Sequence, residues 1–233
     1  MKYLANETTI QSVNDLSTCL SVTVKGILPP QEFVRILGLH ECKSSCRIQV
    51  WPFHPNKLPE IFDANRNIVV EECIICNEAA IDISKDGRKI VVIVPDLRMH
   101  QYKVAVYSLL PQNLGQLLCM YGPVPNPVSV SFSPLSQYIF IGMASISRDT
   151  SKEPGPDAEI ISIKEEEEGG GYKAVLYRRF SQIYHGRGRI RTYSLNAVRW
   201  LPARIPGFCF ATNKGSLVIC TPEDNAQKKQ QTP

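Results

Sequence analysis

Long apolar runs are missing from this 233-residue chain. No stretch reaches the roughly 18 consecutive apolar residues that a membrane-crossing helix needs, so no transmembrane segment is expected. The opening MKYLANETTIQSVNDL lacks the apolar core and small-residue cleavage site of a secretory signal, which predicts a cytoplasmic or nuclear location. Cysteine is sparse: eight residues are too few for a disulfide-stapled scaffold, and free thiols are expected. A strong charge of one sign is also lacking. With 26 Lys and Arg against 22 Asp and Glu, the net charge of +4 implies neither a nucleic-acid partner nor a membrane surface. The four histidines, His40, His54, His100 and His185, do not fall in a nucleophile motif with Ser, Cys or Asp. Glu165 to Glu168 run into Gly169, Gly170 and Gly171. Adjacent carboxylates on such a loop have no fixed acid–base geometry, and the run reads as a solvated charged loop. The reading is therefore of a non-enzymatic protein with no cofactor and no metal.

What is present is short β-rich runs between turn residues, the pattern of an all-β fold. AAIDISKDGRKIVVIVPD from Ala79 and PVSVSFSPLSQYIFIGMAS from Pro127 share one plan. Each alternates small and apolar residues, reaches a serine, turns, and enters a second apolar strand. Ser84 and Ser133 hold the same place in the two units, 49 residues apart. A further copy, LNAVRWLPARIPGFCFATNKGSLVIC, starts at Leu195. KVAVYSLL, Lys103 to Leu110, reads as the outer strand of the first unit. Repeats of about 40–50 residues with four short antiparallel strands are β-propeller blades. One blade cannot cover both of its faces, so blades stack around a ring. Counting CRIQVWPF and RNIVVEECIIC as an incomplete first blade gives about three and a half blades, an open half-ring when propellers close with roughly four to eight.

The expected boundaries are a linker, disordered or short helical segment at 1–46, a half-propeller at 47–222 with an insertion near 148–172, and a disordered tail at 223–233. The helix would lie in QEFVRILGLHE after Pro29 and Pro30. The insertion is drawn from SRDTSKEPGPDAE and KEEEEGGG, both polar and Gly/Pro-rich. Trp51, Ser84, Asp86, Gly87, Ser133, Pro134, Trp200, Asn213 and Gly215 are the blade-defining structural positions.

The wording of the repeats is more specific than the fold. NEAAIDISKDGRKIVVIVPD, VAVYSLLPQNLGQLL, NPVSVSFSPLSQYIFIGMAS and SLNAVRWLP…FATNKGSLVICTPED, in this order, resemble the C-terminal half of the split WD-repeat propeller of the Ambra family. The name stands for activating molecule in Beclin-regulated autophagy. The resemblance covers roughly residues 47–222. It implies an interaction scaffold, part of a substrate receptor for cullin-four ubiquitin ligases that also promotes autophagosome formation and mitophagy. Its implied partners are the missing N-terminal propeller half, the damage-binding type of ligase adaptor in the complete receptor, and Beclin-type autophagy proteins. Autophagosome-associated pools are implied as well. Two features depart from the pattern: Trp51 is followed by Pro52 rather than Asp, and no Trp-Asp-x-Arg box occurs. Completion of the other half is thus the expected role, ahead of adaptor docking by this chain alone.

Four further stretches invite sharper readings. Cys73-Ile74-Ile75-Cys76, with Cys42 and Cys46, has zinc-like spacing, but it sits in an apolar strand pattern where positions three apart face opposite ways, so packing cysteines are expected. YHGRGRIRTY carries Arg187, Arg189 and Arg191 among aromatics; three arginines are a small footprint, and the stretch reads as a loop joining two strands. Glu32, Phe33 and Ile36 resemble the acidic–aromatic–aliphatic motif with which autophagy receptors add a strand to ubiquitin-like modifiers; the same residues fit one face of a short helix. The inner strands offer Asp82, Ser84, Ser129, Ser131 and Ser133 to a central channel. That leaves a small-molecule binder or propeller-type enzyme as an alternative, with a self-pairing β-structural protein as another.

Overall fold

The structure is a computed structural model. It describes residues 8–10, 18–24, 45–52, 55–57, 59, 61, 63, 65–75, 79–96, 101–147, 157–166, 171–181, 191–204 and 206–222. These residues form strands, turns and one short 3-10 turn, Pro111–Asn113. The first sheet runs β1 (Thr8–Ile10), β2 (Thr18–Val24), β3 (Ser45–Pro52) and β4 (Ile68–Ile74) in chain order. The second runs β5 (Ile81–Ile83), β6 (Lys89–Asp96), β7 (Gln101–Ser108) and β8 (Leu117–Val124). All pairs within both sheets are antiparallel.

A third unit holds β9 (Pro127–Phe132), β10 (Tyr138–Ser147), β11 (Ala158–Glu165) and β12 (Tyr172–Phe180). It passes without a break into β13 (Arg191–Trp200), β14 (Phe208–Thr212) and β15 (Leu217–Cys220). The join is in β10. Tyr138–Gly142 pair with β11 on one side, and Ile139–Met143 pair with β9 on the other. After a register shift at Gly142 and Met143, residues Ala144–Ser147 pair with Ser194–Arg191 of β13. A Cβ on Gly142 would lie 2.7 Å from Leu195 O and 2.9 Å from Val198 Cγ1. Only glycine lets the three strands converge there.

The side-chain alternation shows how the sheets stack. In β6, Ile90, Val92 and Val94 join a core with Cys46, Ile48, Val50 and Val70 of the first sheet. Val91 and Ile93, on the other face, join Ile139, Ile141, Met143 and Ile161 of the third. In β10 the odd positions Ile139 and Ile141 face back toward the second sheet. Phe140 faces forward, to Leu195, Val198 and Phe210. Period-two patterning with both faces apolar is what a strand between two neighbouring sheets requires. Among the described residues, three successive four-stranded blades and a three-stranded fourth thus form an open, partial β-propeller.

Three boundaries differ from the sequence reading. The first blade begins before residue 47, because β2 pairs with β3 from Thr18↔Pro52 to Val24↔Cys46. A strand with weak local patterning is held by its sheet partner rather than by its own propensity. The stretch 148–172 is not one insertion, since β11 crosses it and Ala158 to Ile163 are buried. The outer strand of the second blade is β8, while Gln101–Ser108 lies one place in. The helix over QEFVRILGLHE and the tail 223–233 lie outside the described residues.

Candidate interaction surfaces

The inner strands β5 and β9 each end in a serine-anchored turn. Ser84 Oγ accepts from Lys89 N at 2.8 Å and donates to Asp86 Oδ1 at 2.6 Å. Asp86 Oδ1 also accepts from Arg88 N at 3.1 Å. Gly87, at φ 69°, donates its N–H to Ser84 O. Burial pushes the Asp86 carboxyl up, but the Ser84 hydroxyl, the Arg88 N–H and two nearby cations outweigh it, leaving its pKa below the ordinary value. In the next blade Ser133 Oγ accepts from Tyr138 N at 3.0 Å, and Ser136, at φ 56°, takes the place of Gly87. Asn213 links β14 back to β13, accepting from Ser194 N at 3.1 Å, and Gly215 turns at φ 77°. Trp51 is buried in β3. Glu32, Phe33, Ile36, Cys42, Cys76 and Arg187 to Ile190 lie outside the described residues.

The polar groups of the inner strands are spent between blades. Phe132 N donates to Asp82 Oδ2 at 2.7 Å, and Val130 N to Ala79 O at 2.7 Å. Ser129 Oγ donates to Leu195 O at 2.6 Å, and Trp200 Nε1 to Ser131 O at 3.1 Å. Burial raises the Asp82 pKa above its ordinary value, with the Phe132 N–H and the Arg199 charge opposing it. Groups already bonded to a neighbouring strand are poorly placed to bind a channel ligand. Cys73 is likewise committed to packing: its thiol donates to Cys46 O at 3.4 Å. Burial, then Cys46 and Glu72, push it well above the usual thiol range. A thiol so far from its thiolate is neither nucleophile nor ready ligand.

Among the described residues, two surfaces at the fourth blade stand open to partners. The first is a cavity of about 260 Å³ on the turn face, between the Ser133–Tyr138 turn and the Leu201–Gly207 loop. It brings together Ser133, Pro134 and Trp200 of the nine blade-defining positions, and leaves Trp51, Ser84, Asp86, Gly87, Asn213 and Gly215 elsewhere. Leu201 N donates to Gly207 O at 3.0 Å and closes the loop. Neither loop stood out in the sequence as a binding element. Their shared content of proline and large apolar residues on turns was the available signal. The second surface is the outer edge of the fourth blade, which no described strand pairs. There Leu217 and Ile219 are 69% and 63% exposed, although their strand reads as a core strand.

No protein-family model matches the chain. Against curated proteins, 182 residues align at 37% identity with "Activating molecule in BECN1-regulated autophagy protein 1B" of Danio rerio, covering 76% of this chain. The chain belongs to the Ambra family. A second member, "Activating molecule in BECN1-regulated autophagy protein 1A" of Danio rerio, matches at 36% identity over 182 residues, again 76% of the chain. The aligned part spans only 13% and 14% of those two proteins' lengths. Among the described residues no strand pairs with the outer edge of β15.

Proposed function

We propose that this chain is a non-enzymatic interaction scaffold of the autophagy machinery: a propeller segment that completes a ring with further Ambra-type sequence, above all the N-terminal propeller half. In the complete receptor the ring presents its loops to substrates and docks on the damage-binding adaptor of a cullin-four ubiquitin ligase. Beclin-type proteins engage other parts of the assembly. It works in the cytoplasm, with nuclear and autophagosome-associated pools.

The observation that carries this reading is the fourth blade. Among the described residues its neighbours have four strands each and it has three, and its last strand bears exposed apolar side chains beside an edge that no described strand pairs. A β-edge of that kind is a template for one more strand. A closed ring then offers turns on a rigid scaffold, the usual place for recognition. The test is light scattering on the full chain, alone and co-expressed with the remaining propeller sequence of the zebrafish 1B relative. A stoichiometric complex that captures the adaptor supports the reading. A stable homodimer that ignores that sequence overturns it, in favour of a self-pairing β-structural protein.

A further inference from the structure

We propose that β12, the outer strand of the third blade, takes up a short extended peptide with an apolar centre and acidic ends, which adds to the sheet as a further strand. β12 ends its sheet, and among the described residues no strand pairs beyond it. Every second residue of such an edge points its N–H and C=O outward, the template that strand addition uses. The side chains suit a partner as well. Tyr172 and Ala174 pack on the core between the second and third blades, so Lys173 and Val175 project from the opposite face. Val175, Leu176 and Tyr177 are exposed in succession, the last at 64%. Tyr177 is the extra residue of a β-bulge, lying between Leu176, opposite Ile161, and Arg178, opposite Ile160. Its ring is braced by Tyr138, with centroids 5.1 Å apart. The bulge ends the straight run of the strand, so the docking segment is 173–176 and the peptide is short.

Charge on the strand itself selects the occupant. The sequence of β12, YKAVLYRRF, holds three cations and no carboxylate. Lys173 lies directly opposite Lys164 in the register, and both are exposed. Like charges in a cross-strand pair are unfavourable, and a carboxylate seated beside them offsets that cost. At the other end Arg178 lies over the Phe180 ring, 5.1 Å from its centroid, while Arg179 is already paired with Glu159 at 2.8 Å. The nearest acids of the hairpin are held elsewhere. Glu165 lies opposite Tyr172, on the face turned to the second blade. Glu166 Oε2 is 3.4 Å from where a Cβ on Gly171 would lie, at the hairpin tip. The same charges disfavour a second copy of this chain, since two β12 edges side by side would set cations against cations. A guard against pairing alone places charge within the strand; β12 keeps its cations toward the ends and apolar side chains between them. The site does not depend on what completes the ring.

The test uses the full chain and a labelled synthetic peptide with a Val-Thr-Val centre and glutamates at both ends, read by fluorescence anisotropy. Saturable binding is expected. N-methylation of one set of alternate peptide amides should weaken it about tenfold or more, and of the other set hardly at all, because only one set faces β12. Lys173→Glu should weaken binding several-fold and flatten its salt dependence. Lys173 is exposed, and a glutamate there faces Lys164, so the melting temperature should not fall. Leu217→Ser on β15 should leave binding unchanged, which separates this site from the edge that completes the ring. Equal losses from the two methylated sets, equal affinity for a lysine-ended peptide, full binding by the Lys173→Glu variant, or no saturable binding near 1 mM, the weak end of specific recognition, would each overturn the proposal. Loss of binding in Leu217→Ser would overturn it too, by placing the peptide on β15.

Discussion

The second blade and the fourth are built from similar sequence and meet opposite surroundings. In β6, KIVVIVPD, five consecutive residues are buried because a sheet lies against each face. In β15, LVIC, three residues of the same apolar kind are exposed. The lesson is that apolar patterning states what a strand needs, whereas burial is granted by the neighbours. The first blade manages its far face differently. Gln49, on the face turned away from the second blade, is only 1% exposed and bonds through Nε2 to Asp63 O and Arg66 O at 3.0 and 2.6 Å. A polar loop caps that blade, while among the described residues nothing pairs with the outer edge of the fourth.

The contrast breaks most severely in the shared core of the third and fourth blades. Phe140 is fully buried, with its ring centroid 4.6 Å from that of Phe208. Phe140→Ala should cost about 3–5 kcal/mol, the usual range for a large core truncation. Urea unfolding of the full chain measures it. A loss under about 1 kcal/mol, typical of surface changes, would mean the fourth blade does not pack on the third.

A smaller effect is expected where the second and third blades are clamped at their outer strands. Glu159 is 1% exposed, accepting from Tyr121 Oη at 2.9 Å and pairing with Arg179 at 2.8 Å. Burial, then the bond to Glu159, push the Tyr121 hydroxyl up to about 12. Tyr121→Phe keeps the ring and removes one hydrogen bond to a buried carboxylate, for a loss of about 2 kcal/mol. The change should be visible in the same denaturation series.

Much of the blade plan was legible, for physical reasons that particular residues make plain. The Ser84 and Ser133 turns are local: each serine bonds within five residues, so composition alone exposes them. Glu159 is the opposite case. Its partners lie 38 and 20 residues away. With Asp157 beside it, it made β11 look like part of a solvated insertion, although both acids are buried. β1 and β2 were hidden because their order comes from β3. The cavity was hidden because its two walls, 133–138 and 200–207, meet only when the blades stack. Trp200, Ser133 and Pro134 were singled out as structural positions, and their convergence was not visible from spacing.

A subtler difference concerns acid. Asp82, at the inner edge between the second and third blades, has a raised pKa, so the folded state binds its proton more tightly than the unfolded chain. Stability from this group is fully present below the unfolded value, 3.8, and is lost as pH rises through the raised folded value. Asp82→Asn keeps an acceptor for Phe132 N and removes the titration. Thermal melts of both proteins across the mildly acidic range should show the parent gaining on the variant as pH falls. Parallel curves would mean Asp82 is solvated and the inner strands are looser than their hydrogen bonds indicate.

The least effect on the isolated fold is expected at the free edge, and it is the most informative about the comparison. Ile219 is 63% exposed, so Ile219→Ser removes little buried area, and the stability of the chain alone should shift by no more than about 0.5 kcal/mol. Its association should change far more. If a further strand covers β15, Ile219 becomes buried in that complex as Val92 is buried in β6, and the substitution should weaken complex formation about tenfold or more. It should also suppress the concentration-dependent self-association that an exposed apolar edge promotes. Sedimentation of the chain alone and titration with the remaining propeller sequence separate these effects. Weakened complex formation with unchanged melting makes the fourth blade an interior strand awaiting its neighbour. Unchanged association in both experiments makes it a true outer edge, and the likeness between LVIC and the buried run of β6 would then be compositional only.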